Sequence, residues 1–180
     1  MKKIKILHLG CGINKIPEAL GIDINKKSNA DIIHDLDKFP YPFKANQFEK
    51  VIADNIIEHL DNIPKVMEEI YRISKNGAKV FITTGHFSGL DSFTDPTHKH
   101  FFTSRTFDYF IPGTALYNKY NYSTKAKFKK VSVKLGSTIS SNPILKLILL
   151  FINNYAVLYE KRFAFIFPVG VISYELEVIK

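Results

Sequence analysis

Short apolar runs bounded by turn residues dominate the first half of the chain. Residues 4–9 (Ile-Lys-Ile-Leu-His-Leu) favour extended backbone and stop at a glycine. Residues 20–24, 31–34, 50–53 and 78–83 repeat the pattern, the first two each running into an acidic or polar position. Runs of this length read as buried strands. Between the last two, Ile63, Val66, Met67, Ile70, Tyr71 and Ile73 recur at helical spacing, and Asn76-Gly77 supplies a stop. Strands alternating with helices predict an α/β fold, doubly wound around a mostly parallel sheet with helices on both faces.

The alternation dissolves from Gly85 to about Lys127, a stretch rich in aromatics, His, Ser and Thr, with one short helix expected near residues 104–110. Loops this long inside a compact fold are usually functional. Residues 129–135 and 172–179 return as strands, and 143–159 reads as a helix packing one apolar face on the sheet. The aromatic run 163–167 reads as core. The expectation is one domain over 1–180: a first half to residue 84, loops over 85–128, and closing strands with an intervening helix over 129–180.

Charge and cysteine content narrow the classes. Twenty-five Lys and Arg against 17 Asp and Glu leave a net +8, which favours an anionic partner but does not bear on fold. One cysteine excludes a disulfide framework and a Cys-based zinc site, and fits a reducing cytoplasm. The longest clean apolar run late in the chain, residues 147–152, is far short of the roughly 18–20 residues of a spanning helix. A soluble, cytoplasmic protein is expected. Lys119, Lys125, Lys127, Lys129, Lys130 and Lys134 have no acid among them; they suit an anionic surface, or a strand edge protected from aggregation.

The strongest local signal is a strand, then Gly10-Cys11-Gly12, then a strand ending Gly21-Ile22-Asp23. Glycines let backbone pass close to a ligand, and a carboxylate at the next strand end can accept two hydrogen bonds from a ribose diol. A nicotinamide site wants three glycines and an acid about 20 residues on, whereas Asp23 comes eleven after Gly12. No Gly-Lys-Ser/Thr follows, so a P-loop is excluded. Purely structural glycines remain an open alternative. Gly10, Asp23, Asp35 and Asp54 all fall at strand ends, where doubly wound sheets bind ligands.

The ordered set Leu-His-Leu-Gly-Cys-Gly (7–12), Gly-Ile-Asp (21–23), His-Asp-Leu (34–36), Pro-Tyr-Pro-Phe (40–43), Ile-Ile-Glu-His-Leu (56–60) and Ile-Ser-Lys-Asn-Gly-Ala (73–78) resembles the class I S-adenosylmethionine-dependent methyltransferases, type 11 branch. The resemblance implies a Rossmann-like, seven-stranded sheet with the last strand antiparallel, S-adenosylmethionine as cofactor and S-adenosylhomocysteine as product. Residues 1–84 become the cofactor-binding half and 85–128 the substrate side. The implied cofactor set is His8, Gly10, Cys11, Gly12, Asp23, Ile24, Asp35, Leu36, Asp54 and Asn55. Gly10 and Gly12 border the methionine half, Asp23 holds the ribose, Asp35 and Leu36 meet adenine, and Asp54 with Asn55 faces the methionine or the reacting centre. His8 stands where an acidic residue is more common, Asn14 where a third glycine is usual, and Asn76 where a proline is.

Methyl transfer requires an acceptor held in line with an activated donor, and a base only if that acceptor loses a proton. The segment after the fifth strand offers His86 and His98 as base or hydrogen-bonding groups and Asp95 as orienter. Asp95-Pro96-Thr97-His98 equally suits a simple turn, and Glu58 and His59 suit a pin on a short helix. His86, His98 and His100 lack a metal-ligand signature, so no metal is expected. The expected activity is methylation of an oxygen or nitrogen of a small-molecule or glycan acceptor. A non-catalytic binding module and an enzyme at a membrane surface are the alternatives. Nucleic acid is a possible but not a favoured partner; no acidic/Asn-Pro-Pro-aromatic motif follows the fourth strand, which disfavours a DNA adenine-N6 enzyme.

Overall fold

The computed structural model describes residues 5–136 and 142–180. Ile4, placed in the first expected strand, lies outside them. Seven strands form one sheet: β1 (Ile6–Leu9), β2 (Leu20–Asp23), β3 (Ile32–Ile33), β4 (Phe48–Asp54), β5 (Ser74–Gly85), β6 (Phe128–Leu135) and β7 (Val171–Val178), in the order β3-β2-β1-β4-β5-β7-β6. β1 to β5 pair in parallel, while β7 runs antiparallel to both β5 and β6. The chain steps outward from β1 to β3 and then crosses back to β4. That reversal opens a crevice beyond the carboxyl ends of β1 and β4.

α1 (Ile63–Ile73) shows why the helical spacing was informative. Ile63, Val66, Met67, Ile70 and Ile73 are its buried positions, Asn62 caps its start by accepting from the Lys65 amide, and Pro64 sits in the first turn, where no amide donor is needed. The helix ends at Ile73, three residues before Asn76-Gly77, because Ser74 is already extended and paired with Phe48. Between that pair and Lys50↔Lys79, two steps on β4 oppose five on β5, and left-handed Gly77 sits in the excess.

Three features differ from the expectation. Among the described residues no helix lies between β1 and β2, β2 and β3, or β3 and β4. The short β1–β2 connection is instead tied down by side chains: the Ile16 amide donates to His8 Nδ1 at 3.3 Å, and Lys15 Nζ reaches Asp31 at 2.8 Å. Two short helices, α2 (Asp91–Thr94) and α3 (Ala115–Tyr120), interrupt the loop region, and the helix expected near 104–110 is a 3-10 turn, Thr106–Phe110. The segment 143–159 breaks at Tyr155 into α4 (Pro143–Asn154) and α5 (Ala156–Arg162), bent by 98°. Only Ile152 of α4 is buried. The helix hangs on β6 through Asn153, which accepts from the Leu135 amide and donates to the Leu135 carbonyl. In the aromatic run 163–167, only Ala164 is core; Phe165, Ile166 and Phe167 are exposed.

The core lies where the sheet meets α1 and the 102–110 aromatics. Val51, Val80, Ile82, Met67 and Ile70 are fully buried, and Phe107 meets Tyr174 edge-on at 4.7 Å. The strand-end loops are fastened to this core. Arg72, paired with Glu69, donates to the Tyr41 and Phe43 carbonyls, while Tyr41 Oη donates to the Leu36 carbonyl at 3.0 Å. The turn carrying Asp35 and Leu36 is thereby held against α1.

Candidate active site

A cleft of about 170 Å³ opens at the carboxyl ends of β1, β2 and β4, lined by Gly10, Asp23, Ile24, Asp35, Leu36, Asp37, Ile56, His59 and Leu60. Larger cavities exist, one of about 640 Å³ between β6 and α5 and an apolar one of about 380 Å³ on α4. Neither lies at the switch point of the sheet, where this architecture gathers convergent polar groups.

Gly10 has φ +58°, and a Cβ there would lie 2.3 Å from Ile56 Cγ1. That wall can only be bare backbone. Gly12, also left-handed at φ +49°, donates its amide to Asp23 Oδ2 at 2.8 Å, and the Asn25 amide donates to Oδ1 at 2.8 Å. Both carboxylate oxygens of Asp23 are thus aimed, each with a lone pair left for a diol. Asp35 Oδ1 accepts from the Asp37 amide, and Asp37 Oδ1 accepts from the Asp61 amide, so the turn beyond β3 is tied to the one beyond β4.

Five residues expected at the site line this cleft: Gly10, Asp23, Ile24, Asp35 and Leu36. Asp54 and Asn55 are exposed at the end of β4 outside its lining, with Asn55 left-handed at φ +49°. His8 and Cys11 lie outside the lining of the cleft. His8 is buried and engaged by the Ile16 amide, and burial lowers its pKa, partly opposed by Asp54 and Asp23. Cys11 is buried with Sγ against Gly21, and burial pushes its thiol up. Asp37, Ile56, His59 and Leu60 line the cleft without having been singled out for it.

On the acceptor side the histidines separate. His86 is a correction: it is fully buried, its Nε2 donates to Glu160 Oε1 at 3.3 Å, and its Nδ1 accepts from the Ser88 amide. No face of it is open to a second molecule. The 95–100 segment, by contrast, is bonded to the turn 57–60 that walls the cleft. The Lys99 amide donates to the Glu58 carbonyl at 2.8 Å, His100 Nε2 donates to the Leu60 carbonyl at 2.9 Å, and Thr97 Oγ1 meets His59 Nδ1 at 2.9 Å. His98 lies edge-on to His59, ring centres 4.7 Å apart.

Asp95 is connected through Thr97 to His59. Its Oδ1 accepts from Thr97 Oγ1 at 2.6 Å, a bond that holds the carboxyl below the usual range. With its one proton directed to Asp95, the Thr97 hydroxyl accepts from His59 Nδ1–H. His98 Nδ1 donates to the Ser92 carbonyl at 3.2 Å. Both rings therefore keep Nε2 as the nitrogen with a free lone pair.

Against known proteins, residues 7–82 match the model of a family described as a methyltransferase domain. That match runs from β1 into β5, and this part of the chain is similar to the methyltransferase family. S-adenosylmethionine is the cofactor this match supports, and the cleft fits it: bare backbone at Gly10 and a carboxylate with spare lone pairs at Asp23. No curated protein matches the chain significantly. Among solved structures it is similar to an S-adenosylmethionine-dependent methyltransferase from Archaeoglobus fulgidus, at 18% identity and TM-score 0.61, covering 98% of this chain and 86% of that one. A second, from Mesorhizobium loti, shares 13% identity at TM-score 0.60, covering 98% and 93%. A third, the [4+2]-cyclase SpnF, shares 14% identity at TM-score 0.57, covering 98% and 75%. At such identities the likeness is one of fold.

Proposed function

We propose that this methyltransferase transfers its methyl group to an oxygen or nitrogen of a small-molecule or glycan acceptor seated against residues 93–101. One observation carries the reading: the 95–100 segment is bonded directly to the turn lining the cofactor cleft, so whatever rests on it is beside the donor. Phe93 and Phe101, both exposed, stack at 4.8 Å on the same segment and offer a flat apolar face to a ring or sugar. Asp23 takes the ribose hydroxyls, Asp35 and Leu36 the adenine with Ile24 over its face, and the Gly10–Gly12 backbone the methionine end. The bound cofactor supplies a methyl group already activated on a sulfonium. The protein's part is to hold the acceptor in line and exclude water, with His98 Nε2 as an acceptor-side hydrogen-bonding group. The test is S-adenosylhomocysteine release across a panel of hydroxylated, amino and glycan acceptors. With a positive acceptor in hand, Phe101→Ala raises KM about tenfold, the loss of roughly 1.4 kcal/mol of stacking, with little change in kcat. An unchanged KM would place the acceptor elsewhere.

A second feature supports a lipid-linked acceptor. Among the described residues no single helix is long and apolar enough to cross a membrane, but α4 leaves Ile144, Leu147, Leu150 and Phe151 exposed, and Phe165, Ile166 and Phe167 extend the patch. A patch of this kind marks a contact surface. The lysine cluster contributes less than its count implies, since Lys130 is paired with Asp108 and Lys129 lies opposite Glu177. The protein should pellet with anionic vesicles, and Leu147→Glu combined with Phe167→Glu should abolish pelleting; recovery in the supernatant for wild type removes this reading.

A further inference from the structure

We infer that Glu58, His59 and His98 form a binding site for one divalent transition-metal cation at the mouth of the cofactor cleft. A carboxylate oxygen of Glu58 and one ring nitrogen from each histidine lie within 4.8 Å of one another. Proximity alone would carry little. The second observation is Glu58 itself: the residue is 3% exposed, and its Oε2 is buried with no hydrogen-bond partner among the described residues. A buried carboxylate oxygen with no donor is far more costly than an orphaned hydroxyl, and such an atom calls for a missing ion or water.

The surrounding bonds prepare both imidazoles as ligands. Metal-binding histidines characteristically donate one ring N–H to a carbonyl, hydroxyl or carboxylate, which fixes the tautomer and leaves the other nitrogen to the metal. His98 donates Nδ1–H to the Ser92 carbonyl, and His59 donates Nδ1–H to Thr97, which hands its proton to Asp95. The Asp95–Thr97–His59 chain is thus an outer shell, and it accounts for an Asp-Pro-Thr-His sequence otherwise readable as a turn. Ligand distances of about 2.0–2.2 Å require the three donors to draw together, which the two part-buried histidines can do by side-chain rotation.

Two imidazoles and one carboxylate select the cation class. Magnesium and calcium favour all-oxygen sets, whereas imidazole suits zinc, iron, cobalt or nickel. Three protein ligands leave coordination positions for a donor atom from a second molecule. His59 also lines the cofactor cleft. This deepens the proposed function and rests on it for the acceptor's position: in the loaded protein the acceptor's oxygen or nitrogen meets the cation, and His98 serves it as a ligand instead of directly.

The experiment is titration of chelator-stripped, full-length protein with Co²⁺, read by visible absorption and by calorimetry with Zn²⁺. Expected are one equivalent bound, d–d bands of a nitrogen- and oxygen-ligated site, and no displacement by equimolar Mg²⁺. Glu58→Gln and His98→Ala should each raise the Co²⁺ dissociation constant tenfold or more, while His100→Ala, outside the triad, should not. Glu58→Gln is nearly isosteric, and the wild-type spectrum stands without any variant. Absence of stoichiometric binding to wild type, or equal binding by Glu58→Gln and His98→Ala, overturns the inference. S-adenosylmethionine binding in the same stripped sample reports separately: retained cofactor affinity with no Co²⁺ site discards the metal and leaves the methyltransferase reading intact.

Discussion

Gly10→Ala should abolish measurable S-adenosylmethionine binding and lower stability by about 2–5 kcal/mol. Two costs add. A left-handed φ of +58° costs a non-glycine residue about 1–2 kcal/mol. The new Cβ would sit 2.3 Å from Ile56 Cγ1 and 2.7 Å from its Cβ, so the strand-end turn or the cleft wall must shift, an overpacking of about 1–3 kcal/mol. Because Ile56 lines the cleft, the displacement is delivered to the cofactor site itself. Gly12→Ala is the internal control. It has φ +49° but nothing within 4 Å of the added Cβ, so only the backbone cost of about 1–2 kcal/mol remains. Chemical denaturation and calorimetric titration of both variants check this; equal losses would show that the close approach at Gly10 is not what matters.

Glu160→Ala should cost about 3–5 kcal/mol, lowering Tm by about 10 °C in a chain of this length. Glu160 on α5 receives the Ser104 amide at 2.5 Å, the Ser104 hydroxyl at 2.8 Å and His86 Nε2 at 3.3 Å, and its side chain is 8% exposed. One carboxylate therefore joins the end of β5, the 3-10 turn after Ser104 and the otherwise poorly buried α5. Burial alone would raise its pKa, but the bonds from His86 and Ser104 outweigh it and hold the carboxyl below the usual range. A depressed folded-state pKa means the stabilisation is complete above the ordinary glutamate value of about 4.3 and lost as pH falls through the folded value. Glu160→Gln should accordingly be less stable than wild type at pH 7, with the gap closing below about pH 4. A gap independent of pH would show that the carboxylate charge contributes nothing.

The parts of the site legible in the sequence are those a short stretch of chain can specify. Asp23 ends a strand, and Gly10 and Asp35 follow one by one or two residues, so finding the strands places them at one edge of the sheet, and all three line the cleft. His86 misled because it too follows a strand directly; burial under α5 and the bond to Glu160 come from residues more than seventy positions away. Asp95 was singled out as an orienter, yet the histidine it orients, through Thr97, lies on the far side of α1 in sequence.

The ends of the chain's strands, the helical stripe of α1 and the glycines of the first turn were determined by the sequence itself. Side-chain periodicity and backbone permissiveness are local, and they survive in any environment that buries one face. Three things were decided only by tertiary structure. The crossovers before β4 hold no helix because side-chain ties such as Lys15–Asp31 replace one. The apolar stretch after residue 143 bends outward at Tyr155 instead of lying flat on the sheet. Glu58, His59 and His98 meet because the loop after β5 folds back onto the turn after β4. Each depends on pairing between distant residues, whose partners are chosen by what remains unburied or unbonded once the sheet has formed.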